Sequence, residues 1–429
     1  MWTCTVGGGG GVLKEGEAHP QKRRIYAFNT LYFIVGGSAL PGSKIFRDRG
    51  KLSPYYIPKV LPHRDEQIER LLSIYGRIVE DAERGAYLRI VQLVGSAGTG
   101  KTCTALRFGE LIVEHAKRLG VNLQFAYLNC KVDGAKRHVL YGSLAGKVVP
   151  TLSTRSLSPE AILRQLVEYL RREDRYLIAC LDEVDYFVQA NPKEHIVYDL
   201  TRIPEMFPGE PSPVIGEIFI SRSLKWRERL EEGEKSTLGL GIIRFPRYTA
   251  DQVMDILEER VEEAFQPGAV ELDALELISD VTASPPVNGD MRFALDLLYY
   301  AGTLAENLGA ERVRPEHVRK VYGELNPTLT TEDIMSLDDE GKLILLALVR
   351  ALKAEGSAYV GLRTIRDHYW MICEEQGRRP VEEFEEKLQD LIYRGIVDMK
   401  SLTEFGISAA PVTDLERFLD SLLERLEEA

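Results

Sequence analysis

Gly95-Ser96-Ala97-Gly98-Thr99-Gly100-Lys101-Thr102 places glycine, lysine and threonine at the spacing GxxxxGK[ST]. Glycines there let successive backbone N–H groups turn inward around phosphate oxygens. A helix opening at the lysine adds its positive end. Lys101 would neutralise the β- and γ-phosphates, the Thr102 hydroxyl would ligate Mg²⁺, and Cys103 follows in the same turn. A second feature is the apolar run Tyr176 to Leu181, which closes on Asp182-Glu183. An apolar strand ending in acids sets both carboxylates at the sheet edge beside such a loop. Asp182 would hold the metal through water, and Glu183 would orient and deprotonate an attacking water. The chemistry expected is binding of ATP or ADP with Mg²⁺.

Positioning such a site takes a buried parallel sheet. Apolar runs at Arg89 to Val94, Leu123 to Leu128, Tyr176 to Leu181, Gly216 to Ile220 and Gly241 to Phe245 read as its strands. Lys101 to Leu119 and Pro159 to Arg172 read as helices between them. After Tyr248 the strands stop. Thr249 is a candidate N-cap, and further helices are expected at Asp273 to Val281, Asp290 to Leu308 and Pro315 to Leu325. Asn326-Pro327-Thr328 reads as a linker. From Ser336 the pattern is three helices, a hairpin and a last helix. The third helix is expected over Val381 to Tyr393, and the hairpin strands over Ile396 to Ser401 and Gly406 to Val412. The expected organisation is an arm (1–44), an α/β P-loop domain (45–247), an all-α lid (248–328) and a winged-helix module (329–429).

With 429 residues, 44% of them hydrophobic, the chain has the material for several cores. Its net charge of −12 gives no global attraction to DNA or an anionic membrane, so a nucleic-acid surface must be a local basic patch. Five scattered cysteines without a CxxC pair suit a reducing cytosol. Lys22-Arg23-Arg24 followed by Ile25 to Val35 imitates a secretory signal but is too short to span a bilayer. A domain that needs ATP belongs in the cytoplasm, so residues 1–44 are expected to be a disordered or non-native arm, and no membrane partner is expected.

These features, with their flanks, resemble the archaeal origin-recognition and cell-division-control replication initiators of the AAA+ superfamily. The resemblance runs from about Ile45 to the C-terminus. Its most specific stretch is Ile45-Phe46-Arg47-Asp48-Arg49, Leu52-Ser53-Pro54 and Leu61-Pro62-His63-Arg64-Asp65-Glu66. In the family this lead-in packs around the adenine, which implies roles for Ile57 and His63. Leu181 to Asp185 is similar to the family's acidic box, and Gly289 to Leu298 to its sensor-2 helix. There Asp290 can cap the helix and leave Arg292 in the first turn, able to reach a γ-phosphate or to stand as a surface arginine. The resemblance also assigns Tyr248 and Arg260 to the nucleotide site. Two positions depart from the family. Its sensor-1 asparagine is replaced by Ile220-Ser221-Arg222, and its trans-acting arginine by Glu232-Gly233-Glu234-Lys235. Tight nucleotide binding with weak turnover is expected.

The resemblance implies origin duplex DNA, other initiator subunits and the replicative helicase as partners. Lys131, Lys136, Arg137, His138 and Lys147 cluster where the family carries a DNA-gripping insertion, although a solvated helix face reads the same way. Arg379, Lys387 and Lys400 are the winged-helix candidates. The acids Glu382, Glu383, Glu385 and Glu386 oppose phosphate there, so that module can equally face protein.

Overall fold

The computed structural model describes residues 43–427, apart from 83, 84, 86, 135 and 328. The expected arm lies outside the described residues, except for Ser43 and Lys44.

Strands β1 (Arg89–Val94), β2 (Leu123–Asn129), β3 (Tyr176–Asp182), β4 (Val214–Ser221) and β5 (Ile242–Arg244) form one sheet in the order β2-β3-β4-β1-β5. Every pairing is parallel. Parallel strands need crossovers, and the crossovers cover both faces, so the strands carry unbroken apolar runs rather than alternation. β4 is buried at every position. Helices α1 (Asp65–Glu80) and α2 (Lys101–Arg118) cover one face through Leu71, Tyr75, Phe108 and Ile112. The other face lies under α3 (Arg137–Val148), α4 (Pro159–Arg172), α5 (Val184–Ala190), α6 (Ile196–Thr201) and α7 (Glu232–Leu238). Because β4 sits between β1 and β3, the residues after all three strands emerge side by side at one edge. That places the P-loop, Asp182-Glu183 and Arg222 together.

The lid comprises α8 (Ala250–Ala264), α9 (Leu272–Ala283), α10 (Met291–Asn307) and α11 (Pro315–Leu325). Thr249 caps α8 as expected, accepting from the Gln252 N–H at 3.3 Å while the Gln252 side chain accepts from the Thr249 N–H. The lead-in segment packs on this lid. The Arg47 N–H donates to the Ala264 carbonyl at 2.8 Å, and the Phe46 ring lies 4.7 Å from that of Phe265.

The C-terminal part carries α12 (Thr331–Met335), α13 (Asp339–Glu355), β6 (Tyr359–Gly361), α14 (Leu362–Glu375), α15 (Phe384–Tyr393), β7 (Asp398–Met399), β8 (Glu404–Gly406) and α16 (Val412–Glu427). Three details differ from the sequence expectation. The second wing strand lies at Glu404–Gly406, because Phe405 pairs with Met399 on one side and Val360 on the other. Residues beyond it lead instead into α16. Strand β6 had no legible signal, being three residues long. Helix α15 opens at Phe384 rather than Val381, whose N–H donates to the Tyr369 hydroxyl at 3.2 Å.

Lid and winged helix are joined through buried polar groups. Arg319 of α11 is 2% exposed and donates to the carbonyls of Ile407 (2.7 Å), Ser357 (2.9 Å) and Ala358 (2.9 Å). The Glu316 carboxylate accepts from the Val412 and Thr413 N–H groups, both at 3.1 Å, at the N-terminus of α16. Lys400 of the wing pairs with Glu276 and Asp280 of α9.

Within the sheet, Glu217 of β4 is fully buried, and neither carboxylate oxygen has a hydrogen-bond partner. Burial pushes its pKa from 4.5 up to about 8. Between those values the native state holds a proton that the unfolded chain has lost, so stability falls as pH rises through that window. The full cost is about 5 kcal/mol above pH 8. Glu217→Gln is therefore expected to stabilise the protein at pH 8 and to lose that advantage below pH 4.5, the group's ordinary value. Urea unfolding midpoints across pH check this; a pH-independent difference would refute it.

Candidate nucleotide-binding site

The P-loop leaves β1 at Val94, and its shape depends on glycine. Gly98 and Gly100 have φ of 69° and 84°. Close approach demands glycine as well. A Cβ on Gly98 would lie 1.7 Å from Oδ1 of Asp290, and one on Gly100 would lie 2.7 Å from the Tyr248 hydroxyl. Lid and hinge therefore press directly on the loop. The Met291 N–H donates to the Gly98 carbonyl at 3.3 Å.

Lys101 is 9% exposed and donates to the Ser96 carbonyl at 2.6 Å. Burial, with Arg292 and Arg222 nearby, lowers its pKa to about 8 against the pull of Asp182. A phosphate group would supply the counter-charge that this lysine lacks. Thr102 donates to Oδ2 of Asp182 at 2.5 Å, and the Tyr127 hydroxyl donates to the same oxygen at 2.9 Å. A hydroxyl and a carboxylate this close fit an oxygen-ligated Mg²⁺, with Thr102 and Asp182 as its protein donors. Glu183 follows at φ 56°, a strained position for a non-glycine residue. Lys131 pairs with its Oε2 at 3.0 Å and Arg222 with its Oε1 at 3.4 Å.

The cleft encloses about 630 Å³. One wall is the strap Ser53 to Pro62, which includes Ile57, and Cys103, Tyr248, Arg260 and Arg292 also line it. Arg260 lies 5.0 Å from the centre of the Tyr56 ring and pairs with Glu263 at 3.1 Å. Asp290 caps α10, accepting from the Arg292 N–H at 3.0 Å, which keeps Arg292 in the first turn. His63 is placed differently from the cleft-lining expectation. Its ring pairs with Asp255 of α8 at 2.7 Å, tying strap to lid from outside the cleft.

Arg64 belongs to the lead-in stretch, where the sequence assigns it no role of its own. It is 2% exposed, with Nε donating to the Thr99 carbonyl at 2.9 Å, Nη1 to His63 at 2.6 Å and Nη2 to Pro246 at 3.1 Å. Its guanidinium lies 3.9 Å from the centre of the Tyr248 ring. One side chain thus joins strap, P-loop and hinge. Nothing local in the sequence marks it, because apart from the neighbouring His63 carbonyl its partners, Thr99, Pro246 and Tyr248, are brought in by folding.

Family comparisons agree with this architecture. A family model for the AAA domain matches residues 86–216, one for the Cdc6 AAA+ ATPase-type lid domain matches 254–323, and one for the CDC6 C-terminal winged helix domain matches 332–404. The ORC1-type DNA replication protein 2 of Sulfurisphaera tokodaii is 33% identical over 347 residues, 80% of this chain and 82% of the relative. The chain belongs to the ORC1/Cdc6-type family of DNA replication proteins. The crystal structure of Cdc6p from Pyrobaculum aerophilum matches this ORC1/Cdc6-type chain with a TM-score of 0.73 at 29% identity, covering 89% of it and 99% of that protein. The Aeropyrum pernix ORC1 protein, solved in complex with DNA, matches at 0.57 and 31%, covering 90% and 100%.

In this ORC1/Cdc6-type chain most basic side chains suggested for DNA are already engaged. Arg137 pairs with Asp199 and Glu160, both at 2.9 Å, and Lys147 with Asp133 at 3.3 Å. His138 faces the carbonyls of Thr154 and Leu157. Lys131 is held by Glu183, Lys387 by Asp338 and Lys400 by the lid acids. Lys136 and Arg379 are exposed. The segment after β2 is α3, whose Leu140, Leu144 and Val148 belong to the sheet's core, so it builds the domain as well as facing solvent.

Arg64→Met is expected to weaken nucleotide binding at least tenfold and to destabilise the fold by roughly 3 kcal/mol, because three carbonyls lose their donor. Arg70→Ala, at an exposed position of α1, is the control. Isothermal titration and urea unfolding test both; unchanged affinity for Arg64→Met would remove its positioning role.

Proposed function

We propose that the chain is a nucleotide-switched replication initiator that binds origin duplex DNA and helps to recruit the replicative helicase alongside other initiator subunits. The carrying observation is that α10 meets the P-loop at Gly98 while the same lid is bonded to the winged helix through Arg319. Lys101 and the loop N–H groups hold the β- and γ-phosphates, and Arg292 senses the γ-phosphate from the lid. Thr102 and Asp182 hold Mg²⁺, which supplies neutralisation of phosphate charge, and Glu183 takes the proton of the attacking water. ATP favours one lid angle and ADP another, and the winged helix follows. DNA binding is supported by membership of the family and by the relative solved with DNA. Exposed Lys136 and Arg379 make phosphate contacts, and Lys131, Arg137, Lys387 and Lys400 contribute where phosphate displaces their present partners. The protein works in the cytoplasm. Among the described residues no helix is long and apolar enough to cross a membrane.

One observation favours a second reading, a nucleotide-gated protein scaffold with little DNA binding of its own. On and beside α15, Arg366, Lys387 and Arg394 are each paired with an acid, which leaves Glu382, Glu383 and Glu386 facing solvent unbalanced.

Lys101→Ala is expected to abolish binding of ATP and ADP with little loss of stability. Duplex binding measured against salt separates the two readings. A steep fall in affinity with rising salt supports the initiator, and no binding at low salt supports the scaffold.

A further inference from the structure

Glu183 stands at the end of β3, and the sheet order places β2 and β4 on its two sides. Each neighbour supplies a cation. Lys131, just beyond β2, reaches Oε2 at 3.0 Å, and Arg222, just beyond β4, reaches Oε1 at 3.4 Å. The backbone that carries each cation is anchored. The Lys131 N–H donates to Oδ1 of Asn129 at 2.9 Å, and its ammonium lies 4.9 Å from the Tyr186 ring centre. The Arg222 N–H donates to Oδ2 of Asp185 at 3.0 Å, which pins the end of β4 to α5.

We propose that Lys131 and Arg222 are positioning residues that clamp Glu183 and hold it off the attacking water, so that the cleft retains a nucleoside triphosphate rather than turning it over quickly. This rests on the reading of the cleft as an ATP site. In hydrolysis the water oxygen bonds to the γ-phosphorus, and the bond from that phosphorus to the β,γ-bridging oxygen breaks. Its electron pair leaves with ADP, and a water proton passes to the Glu183 carboxylate. A general base must present a lone pair to that proton. Here each carboxylate oxygen is already held by a cation, from opposite sides. Swinging Glu183 toward the water means breaking one ion pair. Arg222 has a competing partner. It lines the cleft with Lys101 and Arg292, where a γ-phosphate would draw it from Glu183. Lys131 would remain. The clamp therefore loosens with ATP without opening fully.

The test is steady-state ATP hydrolysis by the full chain carrying Lys131→Gln, Arg222→Ala or both, with fluorescent ATP and ADP analogues measuring affinity on the same preparations. Each single variant is expected to raise kcat roughly fivefold, the yield of one weak ion pair, with ADP affinity unchanged. The double variant should rise further, and adding Glu183→Gln should erase the gain, because the extra turnover passes through that carboxylate. A residue that only supported the fold would lower the rate on removal, so a rise is specific. Unchanged or reduced kcat in both single variants, with nucleotide bound normally, would overturn the clamp. Failure of the unaltered protein to bind either analogue would instead overturn the ATP reading, and the clamp with it.

Discussion

A single guanidinium in the interior holds together the parts that must act in concert. Arg64, at the end of the lead-in, donates to its neighbour His63, to Thr99 of the P-loop and to Pro246 of the segment that leaves β5 for the lid, and its face covers Tyr248. A buried cation needs partners on every donor, and carbonyl oxygens satisfy it without an opposing carboxylate. The geometry is consequently strict. The three segments can keep Arg64 satisfied only in a narrow set of relative positions. That constraint brings Tyr248 against Gly100 and seats α10 on Gly98, which forms the phosphate end of the cleft.

The lid's other contacts run the opposite way, toward the C-terminus. Arg319 and Glu316 of α11 saturate backbone groups at the edge of the winged helix, and Gly323 admits the Ala409 backbone where a Cβ would lie 2.4 Å from its carbonyl oxygen. Main-chain partners make this joint insensitive to side-chain rearrangement. A change in lid angle is, on the proposed reading, passed to the winged helix rather than absorbed at the boundary. On the proposed reading, the flexible element lies between β5 and α8, next to Arg64, and the lid moves with the module beyond it.

Charge is organised by neutralisation. The chain is acidic, and several of its basic residues outside the cleft are paired with acids, as at Arg137, Lys387 and Lys400. Exposed pairs such as Lys387 with Asp338 contribute little stability, ~1 kcal/mol or less. Phosphate can displace such partners at small cost, so a paired lysine is compatible with nucleic-acid contact in a way that a buried one is not. The cleft is the contrasting case. Lys101, Arg222 and Arg292 gather at its phosphate end, and burial with mutual repulsion depresses the Lys101 pKa to about 8.

The P-loop, the acidic pair at the end of β3, the Thr249 cap and most strands were legible in the sequence. Their signals are local: glycine and lysine at fixed spacing, an apolar run ending in acids, a hydroxyl residue just before a helical run. The strap was legible only through family likeness. What folding alone decided concerns partners distant in sequence. His63 turned to Asp255 of the lid, Lys131 to Glu183, and Lys400 to the acids of α9. The β4 position in the sheet set Arg222 beside Glu183, and β8 took its register from two neighbours at once. A charge run in sequence states which side chains exist. It cannot state which opposite charge the fold will bring within reach, because that depends on strand order and domain packing, and those arise from burial across the whole chain.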